Sequence, residues 1–212
     1  MSERPRIVLA SRNPGKIAEL QRILASADLD VEVVGSEAFA DLPDIRETGQ
    51  TFADNAALKA ETVGRHTGLI AIADDSGLTV DALNGMPGIL SARWSGRDRD
   101  DDANVDLVLD QMSDVPDDLR TAAFRCAAAA FRPGTEPRLE VREAEVRGVL
   151  LRQRRGIGGF GYDPVFLPDG HALTTAEMEP AEKDAISHRG RALRDLISVI
   201  RPWFGRPGGR GW

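Results

Sequence analysis

The chain has 212 residues, 42% of them hydrophobic and 29% charged, which is enough apolar material for one large cored domain and too much for a disordered chain. Acidic residues outnumber basic ones 34 to 27, and the net charge of −7 argues against a protein that works by neutralising a nucleic-acid backbone or an anionic membrane surface. A single cysteine, Cys126, excludes an internal disulfide framework and a cysteine-based zinc site.

The apolar run from Ile7 to Ala10 is too short for a signal-peptide core, and no stretch approaches the ~18 apolar residues of a spanning helix, so a cytoplasmic protein is expected. Charge is uneven. Residues 151–212 carry ten basic against seven acidic side chains, leaving the first 150 at net −10.

Arg6 to Ala10 reads as a buried strand, followed by a helix with Ile17, Leu20, Ile23 and Leu24 on one face, and then by a strand from Val31 to Gly35. That is the opening of an α/β fold. Thr51 with Asp54 three residues on predicts a capped helix whose stripe includes Phe52, Ala56, Lys59 and Val63. Leu69 to Ala73 reads as a strand buried on both faces that ends in Asp74-Asp75-Ser76-Gly77. Thr121 to Phe131 and Arg138 to Arg147 are β-compatible and flank a Pro-Gly turn, so a hairpin and a mixed sheet are expected. Ser187 predicts the cap of a last helix, with Leu193, Leu196, Ile197 and Ile200 on one face, stopping before Pro202. One domain over residues 1–204 is predicted, with a disordered Gly/Arg-rich tail over 205–212.

Four segments can carry chemistry. Ser11-Arg12-Asn13-Pro14-Gly15-Lys16 lies between strand and helix, where free backbone amides and the helix dipole favour anions. It is no Walker A loop, because Ala10 and Ile17 stand where glycine and Ser/Thr are needed, and taken alone it reads equally as an ordinary turn. Asp74 and Asp75 adjoin in a strand and point to opposite faces. A carboxylate there can hold a metal or take a proton from water, the alternative being an Asx turn with Gly77 supplying the bend. Glu47 offers another acid, while Asn55 and Lys59, one helical turn apart, can reach a common ligand.

Gly156-Ile157-Gly158-Gly159-Phe160-Gly161-Tyr162-Asp163-Pro164 matches the glycine spacing of a dinucleotide fingerprint, but no clear strand precedes it and Pro164 forbids a helix. It reads instead as a loop displaying Phe160, Tyr162 and Asp163 to a base and its sugar, or as aromatics tucked beneath a loop. Lys183, His188 and Arg189 gather near the start of the last helix, where positive charge opposes the dipole unless an anionic or carbonyl-bearing ligand answers it. His66, His171 and His188 show no metal-ligand spacing; Cys126 reads as packing, and the acids from Asp98 to Asp102 as a solvated helix start.

Taken together, SRNPGK, ETGQTFADNAALKA, ADDSGL, LNGMPGILSARWSG, GGFGYDPVF and EKDAISHRGRAL, in that order from Ser11 to Leu193, resemble the inosine triphosphate pyrophosphatase family. The resemblance implies a long mixed β-sheet flanked by helices, in two lobes with a nucleotide cleft between them, Mg²⁺, and a homodimer. It implies Mg-dependent hydrolysis of the deaminated-purine triphosphates ITP, dITP and XTP to a monophosphate and pyrophosphate. By the same resemblance Asp75 would be the catalytic proton acceptor, and Asp75 with Glu47 would bind metal, Asp44 or Asp74 being alternatives for the second acid. Substrate would be held by Ser11, Arg12, Asn13, Pro14, Gly15 and Lys16 at the triphosphate. Ser76 would touch it, and Phe160, Gly161, Tyr162, Asp163, Lys183, His188 and Arg189 would take base and sugar. Septum-formation-inhibitor-like pyrophosphatases and a non-catalytic nucleotide-binding regulator are the competing readings, and the adjacent acids argue against the second.

Overall fold

The computed structural model describes residues 4–96 and 100–204; the expected tail over 205–212 and Asp98 of the acidic run lie outside the described residues. Strand β1 (Arg6–Leu9) leads into helix α1 (Pro14–Ser26) and strand β2 (Glu32–Gly35), the expected opening unit. Asn13 caps α1, its side chain accepting from the amides of Gly15 and Lys16, and Pro14 sits in the first turn, where its missing N–H costs nothing. Leu20, Ile23 and Leu24 form the buried face. Each fully buried leucine contributes about 2 kcal/mol of transfer free energy.

Helix α2 (Phe52–Thr67) begins with the predicted reciprocal cap between Thr51 and Asp54 and ends at Gly68, whose φ of 70° suits only glycine at little cost. Its inner face is built of small residues. Ala56 and Ala60 pack on Ala73, Ala127, Ala129 and Phe131, and a Cβ on Gly64 would lie 2.6 Å from the Phe131 ring, so helix and sheet approach closely.

Strand β3 (Ile70–Val80) departs from expectation. It does not end at Asp74 and Asp75 but runs eleven residues through them, and Gly77 supplies no bend. A Cβ on Gly77 would collide with Ser91 Oγ and with Gly88 O, so this glycine permits close approach of the 3₁₀ segment Gly88–Arg93. Ser91 Oγ in turn accepts the Leu78 amide at 2.9 Å. A polar interior that finds partners lets the strand continue.

Helix α3 (Asp101–Gln111) is capped by Asp100, and strands β4 (Thr121–Arg132) and β5 (Arg138–Leu150) occupy the segments expected of the hairpin. Strand β6 (Phe166–Pro168) and helix α4 (Pro180–Ile186) were not foreseen, and helix α5 (His188–Ile200) buries Leu193, Leu196, Ile197 and Ile200 as expected. The six strands form one sheet in the order β2-β1-β3-β4-β5-β6, with β1 parallel to β2 and β3 and β6 antiparallel to β5. This is the mixed, helix-flanked α/β sheet anticipated above. No helix among the described residues is long and apolar enough to cross a membrane.

The chain divides into two compact units. The first takes residues up to Asp75, then Ala127–Glu143 and the chain from Arg189; the second takes Ser76–Cys126 and Ala144–His188. The second has its own core of Leu78, Val80, Val105, Val108, Met112, Leu150 and Phe166.

Candidate active site

In the first unit the pleat of β3 sends its two aspartates to different partners. Asp74, with a side chain 4% exposed, accepts from Lys16 Nζ at 2.7 Å and from Arg189 Nε at 3.1 Å. Burial alone would raise its pKa, but the two cations outweigh burial and hold the carboxyl far below the usual range. Arg189 also lies 3.7 Å from Glu19. Expected on the base with Lys183 and His188, Arg189 instead braces Asp74.

Asp75 meets a different environment. Asn55, fully buried on α2, donates from Nδ2 to Asp75 Oδ2 at 3.1 Å, and Lys59 Nζ, one turn later, donates to Asp75 Oδ1 at 3.2 Å and to Glu47 Oε1 at 2.8 Å. Burial pushes the Asp75 carboxyl above the ordinary carboxylate range; Lys59 and Asn55 pull it down and Glu47 adds to the rise. Lys59 is shifted upward, because the carboxylates of Asp75 and Glu47 outweigh its own burial. A carboxylate with a raised pKa, held in place by two donors, is suited to accept a proton. The i,i+4 spacing of Asn55 and Lys59 was the sequence signal for this cradle, but their common target was not visible in it.

The loop before α1 presents less than expected. Asn13 Oδ1 takes the amides of Gly15 at 2.8 Å and Lys16 at 3.4 Å, so these two are not free for an anion. Ser11 Oγ accepts the Asn13 amide at 3.2 Å, Arg12 is exposed, and Lys16 keeps donor capacity beyond its bond to Asp74. Asp44 is exposed, whereas Glu47 is half-buried on Lys59.

Asp75 and Glu47 are hard oxygen donors that already converge on one cationic nitrogen. Among the described residues no group of three or more His, Cys, Asp or Glu side chains is arranged to hold a metal unaided. Mg²⁺ commonly binds through one or two carboxylates and completes its shell with water and substrate phosphate, so this donor set fits it. The mutual repulsion of Asp74 and Asp75 is met here by Lys16, Arg189 and Lys59.

In the second unit Ser76 continues β3, and the glycine loop is organised by Asp163. This carboxylate, 3% exposed, accepts the Phe160 amide at 2.8 Å, Lys183 Nζ at 2.5 Å and the Thr175 hydroxyl at 2.7 Å. A Cβ on Gly159, whose φ is 75°, would collide with Asp163. Phe160 stands 67% exposed with Lys183 Nζ 5.0 Å from its ring centroid. His188 stacks on Phe124 at 5.3 Å between centroids. Tyr162, expected on the base, is 5% exposed and its hydroxyl donates to Ser91 O at 2.9 Å, so its side chain supports the loop from beneath. Phe160 is the aromatic that this loop leaves exposed. No α-helix follows the glycines, and Pro164 sits within a short 3₁₀ turn, Asp163–Val165, which disposes of the dinucleotide fingerprint.

A mixed α/β sheet carrying a half-buried carboxylate on a lysine and an asparagine, with a second lysine at a helix start, defines a protein equipped for general-base chemistry beside an anion. Comparison narrows this. The chain belongs to the Ham1 family, whose model matches residues 7–199. It is 55% identical over 201 residues to a dITP/XTP pyrophosphatase of Streptomyces avermitilis, covering 94% of this chain and 99% of that one. A crystal structure of a nucleoside-triphosphatase, dITP/XTP pyrophosphatase, from Mycobacterium abscessus is 51% identical with a TM-score of 0.79, covering 92% of this chain and 100% of that one. A HAM1 protein from Coxiella burnetii is 42% identical with a TM-score of 0.85, covering 93% and 98%.

Proposed function

We propose that this chain hydrolyses ITP, dITP and XTP to the nucleoside monophosphate and pyrophosphate, removing deaminated purines from the nucleotide pool. The observation that carries the reading is Asp75, half-buried, raised in pKa and held by Asn55 and Lys59, in a chain so similar to relatives named dITP/XTP pyrophosphatase.

Asp75 takes the proton of a water directed at the α-phosphorus, its Oδ2 fixed by Asn55 and its Oδ1 by Lys59. Lys16, with the Ser11 to Asn13 side chains, meets the triphosphate and stabilises departing pyrophosphate. Asp74 keeps the Lys16 ammonium in place. Asp75 and Glu47 would hold Mg²⁺, which when bound neutralises charge on the phosphate oxygens. On the glycine loop Phe160 offers its ring to the purine and Lys183 a donor to the base or sugar, with His188 at the foot of α5. Donors that require a C6 carbonyl can reject a substrate lacking it by up to ~10⁴–10⁵-fold, which favours ITP and XTP over ATP. We place the enzyme in the cytoplasm and, on the family resemblance, as a homodimer, which light scattering checks directly.

The test is to incubate the protein with Mg²⁺ and, separately, ITP, XTP, GTP and ATP, resolving pyrophosphate from orthophosphate. Pyrophosphate from ITP and XTP, lost on adding EDTA, is expected. Orthophosphate with a diphosphate product, or no turnover of either substrate, overturns the reading.

A further inference from the structure

Between Leu151 and Tyr162 the chain forms neither helix nor strand, yet its first part is laced down by arginines. Arg152 donates to Asp117 Oδ1 and to the carbonyls of Ser113 and Val115. Arg154 donates to Asp106 Oδ1 at 2.8 Å and to Asp102 O at 3.1 Å, and Arg155 to Glu177 and to Ala172 O. Beneath them Arg120, 2% exposed, donates to the carbonyls of Met112, Leu150 and Leu151. The basic run of Arg152, Arg154 and Arg155 is thus a mooring of the glycine loop.

The far end is held by two carboxylates, Asp163 on the Phe160 amide and Asp101 on the next one. Gly161, at φ 57°, donates its amide to Asp101 Oδ2 at 2.8 Å. Between the moorings Ile157 and Phe160 project, with relative exposures of 106% and 67%. Helix α3 is party to both ends, through Asp102 and Asp106 on Arg154 and through Asp101 on Gly161.

We propose that Asp101 is a positioning residue for purine binding: from the first turn of α3 it holds the Gly161 amide, so that Phe160 is presented in its binding position before substrate arrives. The inference rests on the reading above, that Phe160 receives the base. A loop released from Asp101 must be ordered when the purine docks, and that ordering subtracts from binding. The groups assigned to proton transfer and phosphate lie on other elements, so the deficit falls on KM and not on kcat.

The experiment compares Asp101→Ala, Asp101→Asn and Phe160→Ala with the parent enzyme, measuring KM and kcat for ITP together with Tm. Asp101→Ala should raise KM about tenfold, equal to ~1.4 kcal/mol, with kcat and Tm little changed. Asp101→Asn, whose amide oxygen can still accept from Gly161, should restore KM to within about threefold of the parent. If Phe160→Ala raises KM while Asp101→Ala does not, the proposal fails and the reading of the loop stands. If Phe160→Ala leaves KM unchanged, that reading itself fails and the proposal falls with it. Failure of asparagine to rescue, or a joint fall in kcat and Tm in Asp101→Ala, also overturns the proposal, since either assigns Asp101 to helix electrostatics.

Discussion

Replacing Asp74 by asparagine changes one atom and removes one charge, but it leaves two cations facing a neutral amide. The site is nearly dry: the Asp74 side chain is 4% exposed, that of Lys16 25% and that of Arg189 15%. Removing one member of a buried ion pair costs about 3–5 kcal/mol. Lys16 can turn towards solvent and Arg189 keeps Glu19 within reach, so the lower end, about 3 kcal/mol, is expected. At about 2–4 °C per kcal/mol for a domain of this size, Tm at pH 7 should drop by about 6–12 °C. Linkage supplies a second signature. Because the folded pKa of Asp74 is depressed, its stabilisation is complete above the unfolded value near ~3.9 and is lost as pH falls through the lower folded value. Wild-type stability should therefore fall below about pH 4 with a component that Asp74→Asn lacks. Urea melts from about pH 7 to about pH 2 on both proteins measure this. Equal stability at neutral pH, or identical acid slopes, would refute the argument that Lys16 and Arg189 hold Asp74 as a buried anion.

Its neighbour should behave in the opposite way. Asp75→Asn should cost at least ~10²-fold in ITP turnover while leaving Tm unchanged or raised, because the raised pKa of Asp75 means the folded chain disfavours its charge as pH climbs from the unfolded through the folded value. A lowered Tm or surviving activity would contradict this. Tyr162→Phe should lower stability by about 1–2 kcal/mol, by leaving Ser91 O without its buried donor, and should leave KM for ITP within about twofold. A large rise in KM with unchanged stability would return Tyr162 to the base site.

Local chemistry was legible in the sequence wherever the cause was local. The Thr51–Asp54 cap, the apolar stripe of α1 and the final helix all follow from residues within a turn or two of one another. The course of β3 was not legible, since Asp74, Asp75 and Ser76 read as a strand end when judged without partners. Those partners lie 58 residues away at Lys16 and 115 away at Arg189, a separation that no periodicity reports. The same limit hid the Asp101 contact and the burial of the Tyr162 side chain, because burial beneath a loop depends on what the fold places under it. Asp75, Glu47 and the aromatic loop were nonetheless picked out as residue types, and the structure groups Asp75 with Glu47 on one lysine.

Adjacent aspartates with opposite duties place an unusual demand on the length of the chain leading into them. Val8 pairs with Ala71 and Leu9 with Ile72, and after Ala73 the two carboxylates follow on β3. A one-residue deletion or insertion between that pairing and Asp74 would exchange the faces of the two acids, offering the reactive position to the charge partners of the structural one. Such a change leaves both aspartates in the chain, yet it should disrupt the site more completely than most point substitutions, so that over residues 71–74 the length of the chain matters as much as its residue types.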